Sequence, residues 1–444
     1  MGMFFDALET RDPALRLAAQ LEALPLQIAH AQAHTQAFAH LLSAIDARSI
    51  TSKAALAQLP VTRKTQLQEM QKAALDKGGD LFGGFSSLLR GPARSDASPD
   101  AAQAAATDTA QGSLRMGRVF ASPGPIYEPE GLTPDYWRAG RAVFAAGLRA
   151  GDVAHNSFSY HMTPGAYMME SGAHAVGCTV FPAGTGQTEQ QLQAMAHIRP
   201  EAYLGTPSFL KILVEKAEEL GQKLSITKGL VGGEAFVPSL RDWFTARGMH
   251  IYQCYATADL GLIAYETSAR EGLVLDEGVI VEIVRPGTGD PVPEGEVGEL
   301  VVTTLNTAYP LIRFGTGDLT AVLPGQCPTG RTNSRIKGWM GRADQTTKIR
   351  GMFVHPGQVA EVTKRFPEIA RARLIVSGEM ANDAMLLKVE ARNLNHASDA
   401  SNNLRALIAT AIRDVTKLRS EVELVDAGSL PNDGKVIEDA RSYK

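Results

Sequence analysis

Cysteine is scarce in this chain of 444 residues: there are 3, Cys178, Cys254 and Cys327, and none belongs to a CxxC pair. So sparse and odd a count excludes a disulfide framework and favours a reducing compartment. Long apolar runs are missing too. The richest apolar stretch, 165–181, is interrupted by Glu170 and His174, short of the roughly 20 residues that span a bilayer. The first residues, MGMFFDALETRDPALRL, meet Asp6 and Glu9 too early for a secretory signal, and Met1-Gly2 is not a convincing myristoylation site. Together these absences predict a cytoplasmic protein with no membrane partner. No long basic block is present either. Lys plus Arg is 44 against 48 for Asp plus Glu, a formal net charge of −4, so non-specific nucleic-acid binding has no electrostatic support. A small anionic ligand must be recognised locally instead.

Glycine, by contrast, is plentiful, at 42 residues. Each one costs backbone entropy, so its positions mark tight turns and close approaches. The length suggests two to four domains at roughly 100–200 residues each. Residues 1–90 read as helical: Leu17, Leu21, Leu24 and Ile28 recur at helical spacing, with Pro25 expected to bend or split the segment. Leu56, Leu59, Leu67 and Met70 follow, with Thr62 as the N-cap of the next helix. Residues 91–113 are small and polar and read as a surface loop holding a weak Ala-rich helix.

From 115 to about 320, strands near 119–121, 175–181, 202–204, 230–231 and 251–254 alternate with helices near 135–148, 189–196, 209–220 and 240–247. That alternation predicts a mostly parallel, helix-covered sheet. Residues 279–283 and 298–303 read as hairpin or small-barrel structure, within a β-rich part spanning about 273–340. The tail reads as compact α+β. Glycine and charge cluster at 342–346, which predicts domains 1–342 and 343–444. Ligands of parallel α/β sheets bind at the carboxyl ends of strands. The loops there are 121–125, 232–234 (Gly-Gly-Glu), 255–259 (Tyr-Ala-Thr-Ala-Asp) and 314–318 (Phe-Gly-Thr-Gly-Asp).

Four segments carry a resemblance: PGTGDPVPEGEVGELVVTTLN (286–306), YPLIRFGTGDLT (309–320), GRADQTTKIRGMFVHPGQVAEV (341–362) and LPNDGK (430–435). In this order and spacing the chain resembles the adenylate-forming superfamily, within it the phenylacetate–coenzyme A ligase group. The resemblance implies an α/β fold with a large multi-subdomain N-terminal domain that holds ATP and a carboxylic acid, and a small, mobile α+β C-terminal domain. It implies ATP-dependent activation of a small aryl acid to an acyl-adenylate, then transfer to coenzyme A with release of AMP. Mg²⁺ and a homodimer are implied as well. An adenylating enzyme that passes the acyl group to an amine or carrier thiol, and a non-catalytic nucleotide-binding regulator, are the alternatives.

Asp318 on residues alone is either a turn-capping carboxylate or a holder of a vicinal diol; the resemblance assigns it to the ribose. Arg342 matches the arginine that reaches the nucleotide after that motif. Tyr255 and Ala256 match the loop against the adenine, where an aromatic face suits a base. Asp259 stands where the family has a metal-binding Glu, and Gly233 and Glu234 resemble the segment beside the adenine. Lys435 resembles the late catalytic lysine, and Asp344 the hinge. Residues 157–170, SFSYHMTPGAYMME, resemble the acid-pocket wall. Tyr160, His161 and Met162 are its candidates, with Gly205, Thr206 and Pro207 nearby; His161 also reads as a structural histidine.

The phosphate loop departs from the family. ASPGPIYEPEG (121–131) keeps Ser122 and Gly124 but has Glu128 at the lysine position, and its prolines lack amide donors. Cys327 supplies one thiol where a structural zinc wants four good ligands, so no structural zinc is expected.

Overall fold

The structure is a computed structural model that describes residues 3–88, 115–340, 342–343, 347–350, 352–354, 356–379, 382–392, 399–431 and 435–441. The expected loop at 91–113 and the hinge residue Asp344 lie outside the described residues. The chain divides into two compact units, Met1–Met340 and Gly341–Lys444.

The first unit begins with helices α1 (Pro13–His34), α2 (Gln36–Leu41) and α3 (Lys53–Leu56). The Asp12 carboxylate caps α1, accepting from the Ala14 and Leu15 amides. Pro25 does not split α1. Leu24 and Ile28 flank it on one fully buried face, and Gln27 donates to the Thr304 and Asn306 carbonyls. That anchoring outweighs the one hydrogen bond the proline removes. Thr62 is not an N-cap. It pairs in a short strand, β1 (Thr62–Arg63), its hydroxyl donates to the Ile312 carbonyl, and the next helix, α4 (Lys64–Leu75), starts without a side-chain cap.

Strands β2 (Met116–Ser122) and β3 (Ile126–Gly131) form a separate antiparallel ribbon. The 121–125 loop is therefore a hairpin turn, not the end of a parallel strand. The helix expected over 135–148 shrinks to α5 (Gly140–Ala145). Asp135 and Arg138 have positive φ, and the Asp135 carboxylate accepts from the Ala139 and Gly140 amides, so a capped turn replaces the first helical turns.

Four βα units follow: β4 (Val153–Asn156), α6 (Gly165–Val176), β5 (Thr179–Pro182), α7 (Thr188–Ile198), β6 (Ala202–Gly205), α8 (Pro207–Glu219), β7 (Lys228–Val231) and α9 (Pro238–Thr245). The strand expected from 175 starts at Thr179, because α6 runs on to Val176 and Gly177 ends it in the left-handed region. Strand β8 (His250–Thr257) completes the parallel set and turns directly into antiparallel β9 (Gly261–Glu266) and β10 (Leu273–Leu275).

Next come β11 (Val279–Val284), β12 (Gly298–Thr304) and β13 (Phe314–Thr320), then β14 (Val322–Leu323) and β15 (Arg335–Ile336). The large sheet has the order β14-β15-β10-β9-β8-β7-β6-β4-β5. Strands β1, β13, β12 and β11 form a second sheet in that order, while β10, β14 and β15 of the expected β-rich part join the large sheet. From β4 the chain steps to β5 on one side and returns to β6 on the other, which places the topological switch point between β4 and β6.

The second unit has a small hairpin, β16 (Thr347–Ile349) with β17 (Met352–Val354), then α10 (Pro356–Arg365), β18 (Ile369–Glu379), β19 (Asn382–Ala391), α11 (Asp399–Thr416), β20 (Glu421–Val425) and β21 (Ile437–Asp439). Its sheet order is β20-β19-β18-β21, and Leu374, Val376, Leu387, Val389, Ile408 and Ile412 are fully buried between sheet and helices. This is the α+β tail the sequence predicts, with β20 and β21 added at the two edges. Among the described residues no helix is long and apolar enough to cross a membrane.

Candidate active site

Four parallel strand ends supply the site. At the switch point, β4 ends in Asn156 and continues through Ser157 to Tyr160. The Ser157 amide donates to the Leu204 carbonyl, and its hydroxyl lies 2.5 Å from the Tyr203 hydroxyl, which in turn donates to the Thr206 carbonyl at 3.1 Å. This chain ties the end of β4 to the end of β6. Gly205 is required there: a Cβ would lie well inside contact distance of the Ser157 and Tyr203 oxygens. Asn156 Nδ2 donates to the Tyr160 hydroxyl at 2.8 Å, and that hydroxyl donates to Glu170 Oε2 at 2.6 Å. Burial and the Glu170 carboxylate push the Tyr160 phenol up, so it stays protonated.

The predicted acid-pocket residues thus divide. Tyr160, Gly205, Thr206 and Pro207 gather at the switch point, with Thr206 capping α8 through the Phe209 amide. His161 and Met162 are exposed, Met162 at positive φ with its carbonyl accepting from the Ala121 amide. In this structure neither faces inward as a wall residue would. From the end of β7, Glu234 Oε1 accepts from the Ser208 amide at 2.8 Å, locking the Gly-Gly-Glu loop to the first turn of α8. Gly233 in that loop has φ of +80°, which a side chain would strain.

The 255–259 and 314–318 segments meet across the two sheets. Tyr255 on β8 donates its phenol to Asp318 Oδ2 at 2.6 Å, and the Trp339 indole donates to Asp318 Oδ1 at 3.0 Å. Asp318 sits on β13, whose register is fixed by β1 through Thr62↔Phe314 and Arg63↔Gly315. Arg63 also pairs with the buried Glu299. Ala256 occupies a bulge between β8 and β9.

Sequence reasoning missed a third cluster. Lys64, the first residue of α4, places its ammonium 2.8 Å from Asp259 Oδ2. One face of α4 then grips the β2–β3 turn. Gln68 donates to the Gly124 carbonyl, and Gln71 exchanges two hydrogen bonds with the Tyr127 backbone. Spacing of i, i+4 and i+7 puts these three polar side chains on one face, and that spacing beside the core residue Leu67 is the signal that was available. A lysine from a distant part of the chain thus lies beside Asp259. Glu128 is fully buried. Burial and the neighbouring Asp259 carboxylate push it up to about 8, against the pull of Lys64 and Ser122. Asp259 is 4% exposed and its Oδ1 has no partner.

Lys435 and Arg342 belong to the second unit. Lys435 is exposed and leads into β21, while the Leu430 and Pro431 carbonyls before it are held by Arg371. Cys327 lies near the Thr267 and Thr329 hydroxyls, and among the described residues no group of three or more His, Cys, Asp or Glu side chains is arranged to hold a metal.

The AMP-binding enzyme family matches residues 137–309, and the AMP-binding enzyme C-terminal domain matches 351–439. A phenylacetate-coenzyme A ligase of Thermus thermophilus is 32% identical over 347 residues, 71% of this chain and 78% of that protein. The chain belongs to the phenylacetate–coenzyme A ligase group of the adenylate-forming superfamily. The Escherichia coli phenylacetate-coenzyme A ligase is 30% identical over 339 residues, 72% of this chain and 77% of that protein. A member of this group is an ATP-dependent, AMP-forming acid–thiol ligase, and so is this chain. The fold agrees. A crystal structure of 2-hydroxyisobutyryl-CoA ligase with its acyl-adenylate and CoA superposes with a TM-score of 0.78 at 24% identity, covering 98% of this chain and 92% of that one.

Proposed function

We propose that this ligase activates a small aryl carboxylic acid to its adenylate and transfers the acyl group to coenzyme A. The observation that carries the reading is the Tyr255–Asp318 contact, which joins two nucleotide motifs from different sheets at the mouth of the parallel strands. Both Asp318 oxygens already accept strong donors, so the carboxylate is set to accept a vicinal diol. Ribose takes the place of the phenol and indole donors there, and the Tyr255 ring lies against the adenine. Gly233 and Glu234 form the adjoining edge of the base site. Ser122 and Gly124 face the phosphates.

The acid binds at the switch point. Tyr160, Gly205, Thr206 and Pro207 form its wall, and the aromatic faces of Tyr160 and Tyr167, packed edge to face at 5.3 Å, suit a flat ring. Arg342 and Lys435, from the second unit, supply positive charge to the nucleotide and to the carboxylate–phosphate encounter. Mg²⁺ fits the donor set, because the orphaned Asp259 oxygen is a hard, buried acceptor. When bound, the ion neutralises phosphate charge.

The test is a panel of aryl and aliphatic acids assayed for pyrophosphate release, with and without coenzyme A. Release with aryl acids, coupled to thioester, supports the reading. Release without any coenzyme A-dependent thioester assigns the acyl group to another acceptor, and no release despite ATP binding assigns the chain to a regulatory role.

A further inference from the structure

We infer that Arg373 is a positioning residue for Lys435: its guanidinium clasps the two ends of the short segment that carries the lysine, and so sets the point from which the ammonium reaches out. The inference deepens the reading above and rests on it for one thing, that Lys435 serves the carboxylate–phosphate encounter. Every group it invokes lies within the second unit.

Alternation along β18 sends Arg371 and Arg373 to the face opposite Leu374 and Val376, which are fully buried in the core. Arg373 is nevertheless only 3% exposed. A guanidinium buried to that extent must be paired, and its partners lie on both sides of Lys435. Nη2 donates to the Pro431 carbonyl at 3.2 Å, ahead of the lysine. Nη1 donates to Glu438 Oε2 at 3.0 Å, beyond it. A planar fork holds two such acceptors at a fixed angle, which a compact ammonium does not.

Strands β18 and β19 supply the frame around this clasp. Ahead of the lysine, the Leu430 amide donates to Glu390 Oε1 at 2.7 Å, and Glu390 is 2% exposed. Arg371 Nη2 donates to the same Pro431 carbonyl at 2.8 Å. Beyond the lysine, the Leu374 amide donates to the Val436 carbonyl at 2.9 Å, and Ile437 pairs with Leu374 at the edge of the sheet. Arg373 joins the two halves of this frame in one side chain. Lys435 itself is exposed on a flexible stem, so the place of its backbone decides how often the ammonium meets the reacting groups. A displacement of about 1 Å, made far from the chemistry, costs on the order of 100-fold in rate.

The test separates the two half-reactions in Arg373→Met and Arg373→Lys, beside wild type and Lys435→Ala. Both partners named for Arg373 tolerate its loss, because Pro431 keeps Arg371 and the Glu438 side chain is 41% exposed to water. Should Arg373→Met fail to fold, Arg373→Lys keeps the charge, reaches one end only and still decides. The first half is acid-dependent pyrophosphate release, with the acid of the panel above that wild type turns over fastest. The second is thioester formation from that acid's synthetic adenylate and coenzyme A, which starts after the carboxylate–phosphate encounter is over. Arg373→Met should slow the first half about 10-fold or more and leave the second near the wild-type rate, with Arg373→Lys in between. Placed on Lys435→Ala, Arg373→Met should slow the first half no further, because the two residues act as one unit. Equal loss of both halves, or a further loss on top of Lys435→Ala, overturns the inference. A fast first half in Arg373→Met beside a slow one in Lys435→Ala removes the inference alone. A fast Lys435→Ala, or no turnover of any acid by wild type, removes the reading of Lys435 and the inference with it.

Discussion

Arg313→Met removes a guanidinium that is 2% exposed and used on every side. Its Nε pairs with Glu282 Oε2 at 3.0 Å, Nη1 donates to the Ala57 carbonyl at 2.8 Å and to that of Leu59, and Nη2 donates to the Gly289 carbonyl at 2.8 Å. One residue thus ties the α3 segment, β11 and the 285–290 turn to the start of β13. Breaking a buried pair typically costs about 3–5 kcal/mol, because the partner is left charged and unpaired. Here the partner is Glu282, which burial already raises against the pull of Arg313. Without the arginine it takes up a proton, which limits the Coulombic part. Three carbonyls lose their donor as well, at roughly 1 kcal/mol each where no water replaces it. The methionine stem keeps most of the packing. The net expectation is about 3–5 kcal/mol, read as a shift in the urea midpoint followed by tryptophan fluorescence. Arg313→Met/Glu282→Gln should recover part of that loss. A single variant that loses less than about 1 kcal/mol, or a double variant no better than the single, would refute the reasoning.

Glu128→Gln should change how stability depends on pH. The folded carboxyl titrates at about 8 against an ordinary 4.5, so between those values the native state holds a proton the unfolded chain has lost. Stability then falls as pH rises through that window, by up to roughly 5 kcal/mol. The variant should lack this slope in chelator-treated buffer, and parallel curves for the two proteins would contradict it. Asp318→Asn should weaken AMP binding about 10-fold or more, since a charge-assisted acceptor becomes a mixed donor–acceptor; calorimetry showing unchanged affinity removes it from the ribose role. Gly205→Ala drives a methyl into the Ser157 and Tyr203 hydroxyls. It should abolish acid-dependent pyrophosphate release while AMP binding survives, and retained turnover would move the acid pocket elsewhere.

Although β4 (Val153–Asn156) was not read, parallel strands β5 to β8 were legible because apolar runs followed by Gly-rich loops repeat between helical periods. The α+β tail was legible for the same reason. The 314–318 segment, expected as a loop at the end of a parallel strand, lies within β13 of the second sheet, and Asp318 meets Tyr255 from there. The 121–131 segment was misplaced. Its residues alternate as a strand does, and nothing local distinguishes an antiparallel ribbon from one member of a parallel sheet. Lys64 was missed for a related reason. It meets Asp259 across 195 residues of sequence, and pairing at that distance is set by tertiary packing, not by local pattern. Pro25 and Thr62 show the same override, since helix anchoring and strand pairing decided positions where local propensity pointed the other way.

The central claim is that this chain makes an acyl-CoA through an acyl-adenylate. Mass spectrometry of a reaction with ATP, Mg²⁺, coenzyme A and a panel of aryl acids tests it most directly, with Lys435→Ala alongside. The account predicts acyl-CoA and AMP in equal amounts from wild type, and loss of both from Lys435→Ala with AMP binding intact. AMP formed without thioester, or a Lys435→Ala variant as active as wild type, would contradict it.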